Sequence, residues 1–198
     1  SSAYTRQAGE LAHARGLAFH IDGARIFNAA AAEGVTAADL AAPADSITFC
    51  LSKALCAPVG SVLCGSSAFI ASARRIRKQL GGGMRQAGIL AAAGIVALEQ
   101  MPQRLADDHR RAARLAEGLA ALPGVFLPKG MPRSNMVFPE LTHAVSFSAR
   151  QIESELAAKG ILVGRVSERG FRLVTHAWIS DTDVETVIAG FKAVLAQA

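Results

Sequence analysis

Two residues carry the chemistry that this sequence offers first. Asp22 stands at the end of a short apolar run, Leu17 to Ile21 ("LAFHI"), and opens the tetrapeptide "DGAR". Lys53 ends a second run, "SITFCLSK", and small residues and a proline follow it in "ALCAPVGS". An ammonium at the end of a buried strand loses solvation, which favours the neutral and nucleophilic amine. An Asp at a strand end is also a plain turn signal when Gly follows it. Arg25, three residues on, reads as its ion-pair partner or as an anion contact.

These residues acquire a joint meaning only if the elements bring them together. The two strands are separated by helical sequence, so they are expected to run parallel and to place Asp22 and Lys53 on one edge of a sheet. That carboxyl edge is where open α/β sheets bind ligands. An amine and a carboxylate there suit pyridoxal phosphate. The amine forms a Schiff base with the aldehyde, and the carboxylate keeps the pyridine nitrogen protonated, so the ring withdraws electrons from a carbanion. The competing readings are a simple Asp–Lys ion pair and two unrelated surface groups. His20 alternates with Asp22 and shares its face of the strand.

The framework around these residues is α/β. Helices are expected over Arg6–Arg15, closed by Gly16, and over Ile26–Glu33. A third strand, Val59–Cys64, follows the second closely enough to pair with it antiparallel. Ser66 and Ser67 cap a helix over Ala68–Leu80 that stops at Gly81-Gly82-Gly83. Helices follow over Arg85–Gln100 and Arg104–Leu122. The apolar stretch Ala87–Leu98 within the first of these reads as buried. Beyond it the texture changes. Short strands at Met136–Phe138, Ile161–Val163 and Phe171–Val174 alternate with helices Ala149–Lys159 and Asp181–Leu195. The expected organisation is therefore a first domain over residues 1–110 and a small C-terminal α/β domain over 111–198. Three strands are few for a doubly wound sheet, and the chain reads as beginning within a larger domain.

Composition narrows the classes of function. The 198 residues are 51% hydrophobic and 19% charged, with a net charge of +5. That is a core-building composition, and the mild positive charge suits a phosphorylated small molecule. One Trp, one Tyr and nine Phe give no aromatic interleaving of basic residues, so no nucleic-acid partner is expected. Cys50, Cys56 and Cys64 include no Cys-x-x-Cys pair, so no metal is expected. They read as reduced core thiols of a cytoplasmic protein, with a packing role for Cys56. No signal-peptide pattern is read, nor an apolar run of about 18 residues, so no membrane partner is expected.

Three longer stretches in order, "HIDGARIFNAA", "SITFCLSKALCAPVGSVLCGS" and "RRIRKQLGGGMRQAGILAAAGIVAL", resemble the low-specificity L-threonine aldolases. These are pyridoxal-phosphate enzymes of the aspartate-aminotransferase-like fold, fold type I. The resemblance runs from about Ala3 to the end and is densest from His20 to Leu98. It implies an incomplete large domain with a mostly parallel sheet, followed by a small C-terminal domain. It implies that Lys53 is the Schiff-base lysine and that Asp22 holds the pyridine nitrogen, with His20 beside it. Arg25 would reach the ring oxygen or the substrate carboxylate, and Arg172, in "FRLVTHAWIS", would clamp the carboxylate. Lys78 and Arg85, flanking the three glycines, would lie at the active site, Arg85 serving a neighbouring subunit's phosphate.

The implied reaction cleaves threonine or allo-threonine, a small β-hydroxy-α-amino acid, to glycine and acetaldehyde. The implied assembly is a homotetramer, a dimer of dimers. The family's phosphate loop and ring-stacking residue are not visible here. A β-eliminating lyase on the same scaffold and a non-catalytic fragment are the alternatives. His176 reads as structural.

Overall fold

The structure is a computed structural model in which residues 1–197 are described. The chain divides into two compact units, Ser1–Leu105 and Ala106–Ala198. Each is described by itself.

The first unit is built on three strands in the order β1-β2-β3. β1 (His20–Asp22) and β2 (Ser46–Cys50) are parallel, with Ile21 opposite Ile47 and Asp22 opposite Thr48. β3 (Ser61–Gly65) runs antiparallel to β2. The connection from β1 to β2 holds α2 (Ile26–Glu33) and α3 (Ala37–Ala41). These helices bury Ile26, Ala30 and Leu40 against Ile47, with Ile21 and Phe49 packed at the margin. Alternation along a strand puts Ile21, Ile47 and Phe49 on that covered face, and His20, Asp22 and Thr48 on the other.

Local chemistry sets the element ends. Gly34 closes α2 in the left-handed conformation, φ 66°. Thr36 and Asp39 form a reciprocal cap at the start of α3. α1 (Ser2–His13) is tied to the strand that follows it through Asp45. Its carboxylate accepts from the Phe19 amide at 2.7 Å and faces His13 Nε2 at 3.0 Å. α4 (Ser67–Gln79) is capped by Ser66, and α5 (Gly88–Gln100) is followed by a 3-10 turn.

In the second unit, α6 (Leu105–Ala120), α7 (Ala149–Ala158) and α8 (Asp181–Leu195) accompany short antiparallel strands. β8 (Phe171–Val174) lies between β5 (Met136–Val137) and β7 (Gly164–Arg165), while β4 (Val125–Phe126) pairs with β6 (Glu140–Leu141). The core gathers Leu119, Val137, Ile152, Leu156, Leu173 and Val184. Phe171 meets Phe191 edge to face, with centroids 5.4 Å apart. Arg111 and Arg114 of α6 pair with Asp181 and Glu185 of α8.

Several expectations are corrected. The apolar stretch of α5 is not a buried helix: only Gly94 and Ala97 are buried, and Ile89 is 76% exposed. Cys56 and Cys64 are exposed and Cys50 half-buried, so they are not core thiols; all three are free. Residues 161–163 are not a strand, and the edge pairing begins at Gly164. Among the described residues no helix is long and apolar enough to cross a membrane, and no group of three His, Cys, Asp or Glu stands ready to hold a metal.

Candidate functional site

Parallel pairing of β1 and β2 delivers their carboxyl ends to one edge of the sheet, as the helical sequence between them led us to expect. The pairing continues beyond the strands. The Gly23 amide donates to Thr48 O at 2.8 Å, and the Cys50 amide donates to Ala24 O at 3.4 Å. Gly23 leaves room for this approach. A Cβ there would lie 3.0 Å from Ile47 Cδ1 and 3.1 Å from Thr48 O. The loop Asp22–Arg25 is thereby stitched onto the strand that leads to Lys53.

Asp22 is exposed, and its Oδ1 accepts from the Ala24 amide at 3.2 Å. His20 shares its face, as the alternation implies, and its Nδ1 lies 2.9 Å from Ser46 Oγ. Arg25 stands at the start of α2 and is half-buried. Its Nε is buried without a hydrogen-bond partner. A buried donor left unmade costs about 1–3 kcal/mol, so this atom calls for an acceptor. A phenolate oxygen or a carboxylate would supply one.

Lys53 lies three residues beyond the end of β2, in a bend, and its side chain is exposed. This corrects the premise of a lysine buried at a strand end. The residues around it are what is buried. Leu51, Leu55 and Ala57 form a cluster with Ala97 of α5. The Leu51 amide donates to Gly60 O, the Ala57 amide to Leu51 O, and the Cys56 amide to Lys53 O, all at 2.9 to 3.0 Å. Lys53 thus rides on a closed turn anchored by two leucines. Cys56 pays for that turn with a left-handed backbone, φ 59°, the one non-glycine residue at positive φ among those described.

The other expected site residues are placed separately. Lys78 is in the last turn of α4, and its chain lies over Gly83, where a Cβ would come within 3.2 Å of Nζ. Arg85 is exposed beyond the glycines. Gly81, at φ 83°, gives the helix its stop, with its amide on Lys78 O. Arg172 is exposed on β8 of the second unit, opposite Gly164. The first unit therefore brings together His20, Asp22, Arg25 and the Lys53 turn.

Sequence reasoning missed Ser46 and Thr48, which face His20 and Asp22 across the parallel pair. Their alternation with Ile47 in "SIT" was the available signal.

The donor set fits pyridoxal phosphate. It offers an amine on a rigid turn, a carboxylate at the neighbouring strand end and a guanidinium Nε lacking an acceptor. No phosphate-cradling loop is among the residues brought together.

Comparison with known proteins gives a consistent result. The Beta-eliminating lyase family matches residues 1–142. "Low-specificity L-threonine aldolase 1" of Arabidopsis thaliana is 42% identical over 189 residues, covering 96% of this chain and 53% of that protein. "Low specificity L-threonine aldolase" of Escherichia coli strain K12 is 40% identical over 194 residues, 98% of this chain and 56% of that protein. The solved threonine aldolase of Leishmania major superimposes with a TM-score of 0.76 at 22% identity, covering 98% of this chain and 56% of that one. This last likeness bears on the fold, which is that of the fold type I pyridoxal-phosphate enzymes. The chain spans about half the length of the curated relatives it matches.

Proposed function

The chain belongs to the Beta-eliminating lyase family, and from that premise we propose that it carries the lysine-bearing part of a pyridoxal-phosphate-dependent threonine aldolase site. The reaction is retro-aldol cleavage of L-threonine or L-allo-threonine to glycine and acetaldehyde. One observation supports this above the others: the parallel register that sends Asp22 and the Lys53 turn to the same sheet edge.

When bound, the cofactor supplies an electron sink for the carbanion left at Cα as the Cα–Cβ bond breaks. The protein's own groups have separate tasks. Lys53 would hold the cofactor through its amine. Asp22 would hold the ring nitrogen and keep its proton in place, a charge-assisted bond. His20, held by Ser46, stands beside it. The unpartnered Nε of Arg25 would donate to the ring oxygen or the substrate carboxylate. Arg172, in the second unit, would offer a guanidinium fork suited to a carboxylate, the role the resemblance implies for it. Lys78 and Arg85 serve anionic groups, Arg85 those of a neighbouring subunit. The reading includes a homotetramer built from dimers, acting in the cytoplasm.

A second reading is β-elimination, favoured by the matched family's description. Product analysis separates the two. With pyridoxal phosphate and threonine, aldol cleavage gives acetaldehyde and glycine in equal amounts. Elimination gives pyruvate and ammonia from serine or cysteine. Ammonia and pyruvate without acetaldehyde would replace the first reading by the second, and no product from threonine, serine or cysteine would favour the remaining alternative, a fragment without catalysis of its own.

A further inference from the structure

Gly164 lies directly opposite Arg172 in the antiparallel β7–β8 pair, and β7 is the edge strand of its sheet. Residues opposite each other in such a pair share one face, with Cβ atoms about 4.5–5.5 Å apart. Phe171 and Leu173, the neighbours of Arg172 along β8, are buried in the core of the second unit. Alternation therefore puts Arg172 and position 164 together on the open face, and both are exposed. Arg165, the other residue of β7, has its Nε 2.9 Å from Glu153 Oε2 of α7.

The backbone does not call for glycine at 164. It is not among the glycines at positive φ, of which Gly160 is the nearest in the chain. Apart from its chain neighbours, a Cβ there would meet only Arg172 O, at 3.6 Å, an ordinary van der Waals contact. Glycine in a strand weakens it, because it loses more conformational freedom on folding and packs no side chain. Exposure does not exclude large side chains nearby either. Leu162 is 86% exposed and Val166 58%. The residue opposite Arg172 is the bare one.

We propose that Gly164 is a specificity-determining residue: by carrying no side chain it keeps the flank of Arg172 open, so that the carboxylate of an α-amino acid reaches the guanidinium side-on while the rest of the ligand lies over the glycine. Side-on approach is what a two-bond pair between Arg and a carboxylate needs. A β-branched side chain at 164 would stand over one edge of that fork. The inference rests on the reading of Arg172 as the carboxylate-binding residue. It is the same for aldol cleavage and for elimination, since both act on α-amino acids.

A strand glycine can also mark the close approach of another backbone. The two roles differ in their effect on stability. A side chain at 164 would lower stability if backbone packed there, and would leave it equal or higher if the space is kept for a ligand.

Gly164→Val and Gly164→Ala in the 198-residue chain test the proposal. The first readout is the rate at which phenylglyoxal, a guanidinium reagent, modifies Arg172, followed by peptide mass mapping. Arg75 of α4 and Arg150 of α7, both exposed, are controls. The expected result is modification of Arg172 several-fold slower in Gly164→Val, close to the parent rate in Gly164→Ala and unchanged at both controls. The denaturant midpoint should fall in neither variant. Unchanged modification of Arg172 in Gly164→Val overturns the proposal. So does a lowered midpoint, which would assign the glycine to backbone packing. The second readout is product formation with pyridoxal phosphate and threonine. Loss of one charged hydrogen bond in Gly164→Val should raise KM about tenfold or more with little change in kcat. A fall in kcat at unchanged KM overturns the proposal. A parent chain that forms no product counts against the aldolase reading alone, and the modification rates and midpoints then decide this one.

Discussion

Asp22 stands opposite Thr48 in the parallel β1–β2 pair, so the strand that ends in the carboxylate and the strand that runs on to Lys53 leave the sheet in the same direction. That relationship underlies the functional reading, and it can be tested from each side.

Asp22→Asn keeps the shape of the side chain and removes its charge. Hydrogen bonds to charged groups contribute about 1.5–3 kcal/mol, so affinity for pyridoxal phosphate should fall about tenfold to a hundredfold. Equilibrium dialysis with the cofactor measures this. Unchanged affinity would separate Asp22 from the ring nitrogen.

Leu55 is 2% exposed and packs with Leu51, Ala57 and Ala97 beneath the Lys53 turn. Leu55→Ala should lower stability by about 2–5 kcal/mol in denaturant unfolding. A loss of under about 1 kcal/mol would mean that the turn is held by its backbone hydrogen bonds alone.

Cys56 closes that turn at φ 59° with an exposed side chain. Glycine adopts this backbone without steric cost, though it loses more entropy on folding. Cys56→Gly should therefore raise stability, by up to about 1 kcal/mol. A decrease would show that the thiol packs usefully where it lies.

Asp45 gives the first unit an acid-sensitive tie. The Phe19 amide, and then His13, hold its carboxyl below the ordinary value of 3.8. A lowered folded value means that the unfolded chain takes up the proton first. Its stabilising contribution is complete above pH 3.8 and is lost as pH falls through the folded value. Asp45→Asn should flatten the acid limb of the stability–pH curve. An identical limb in the variant would assign acid sensitivity to other carboxylates.

Elements specified by neighbouring residues were legible in the sequence. α2 ends at Gly34, and α8 begins behind the Ser180–Asp183 cap; both match the expected bounds, as does β8. The Thr36–Asp39 cap of α3 is equally local and was overlooked. Two-residue strands such as β4 and β6 were not legible, because distant partners create them. Asp22 and His20 could be placed on one face of β1 from alternation, and Arg25 beside them from proximity in the chain. The exposure of Lys53 could not, because it depends on Leu51 and Leu55 turning inward against α5. Nor could that of α5, whose apolar composition alone suggests burial.

The most direct test of the central claim is borohydride reduction of the chain in the presence of pyridoxal phosphate, followed by peptide mass mapping. The protein has five lysines, Lys53, Lys78, Lys129, Lys159 and Lys192, so each serves as a control for the others. The account predicts that the reduced pyridoxyl label concentrates on Lys53 and that Asp22→Asn diminishes it there. Label spread evenly over the five, or concentrated on any lysine other than Lys53, would contradict the assignment of Lys53 as the cofactor lysine.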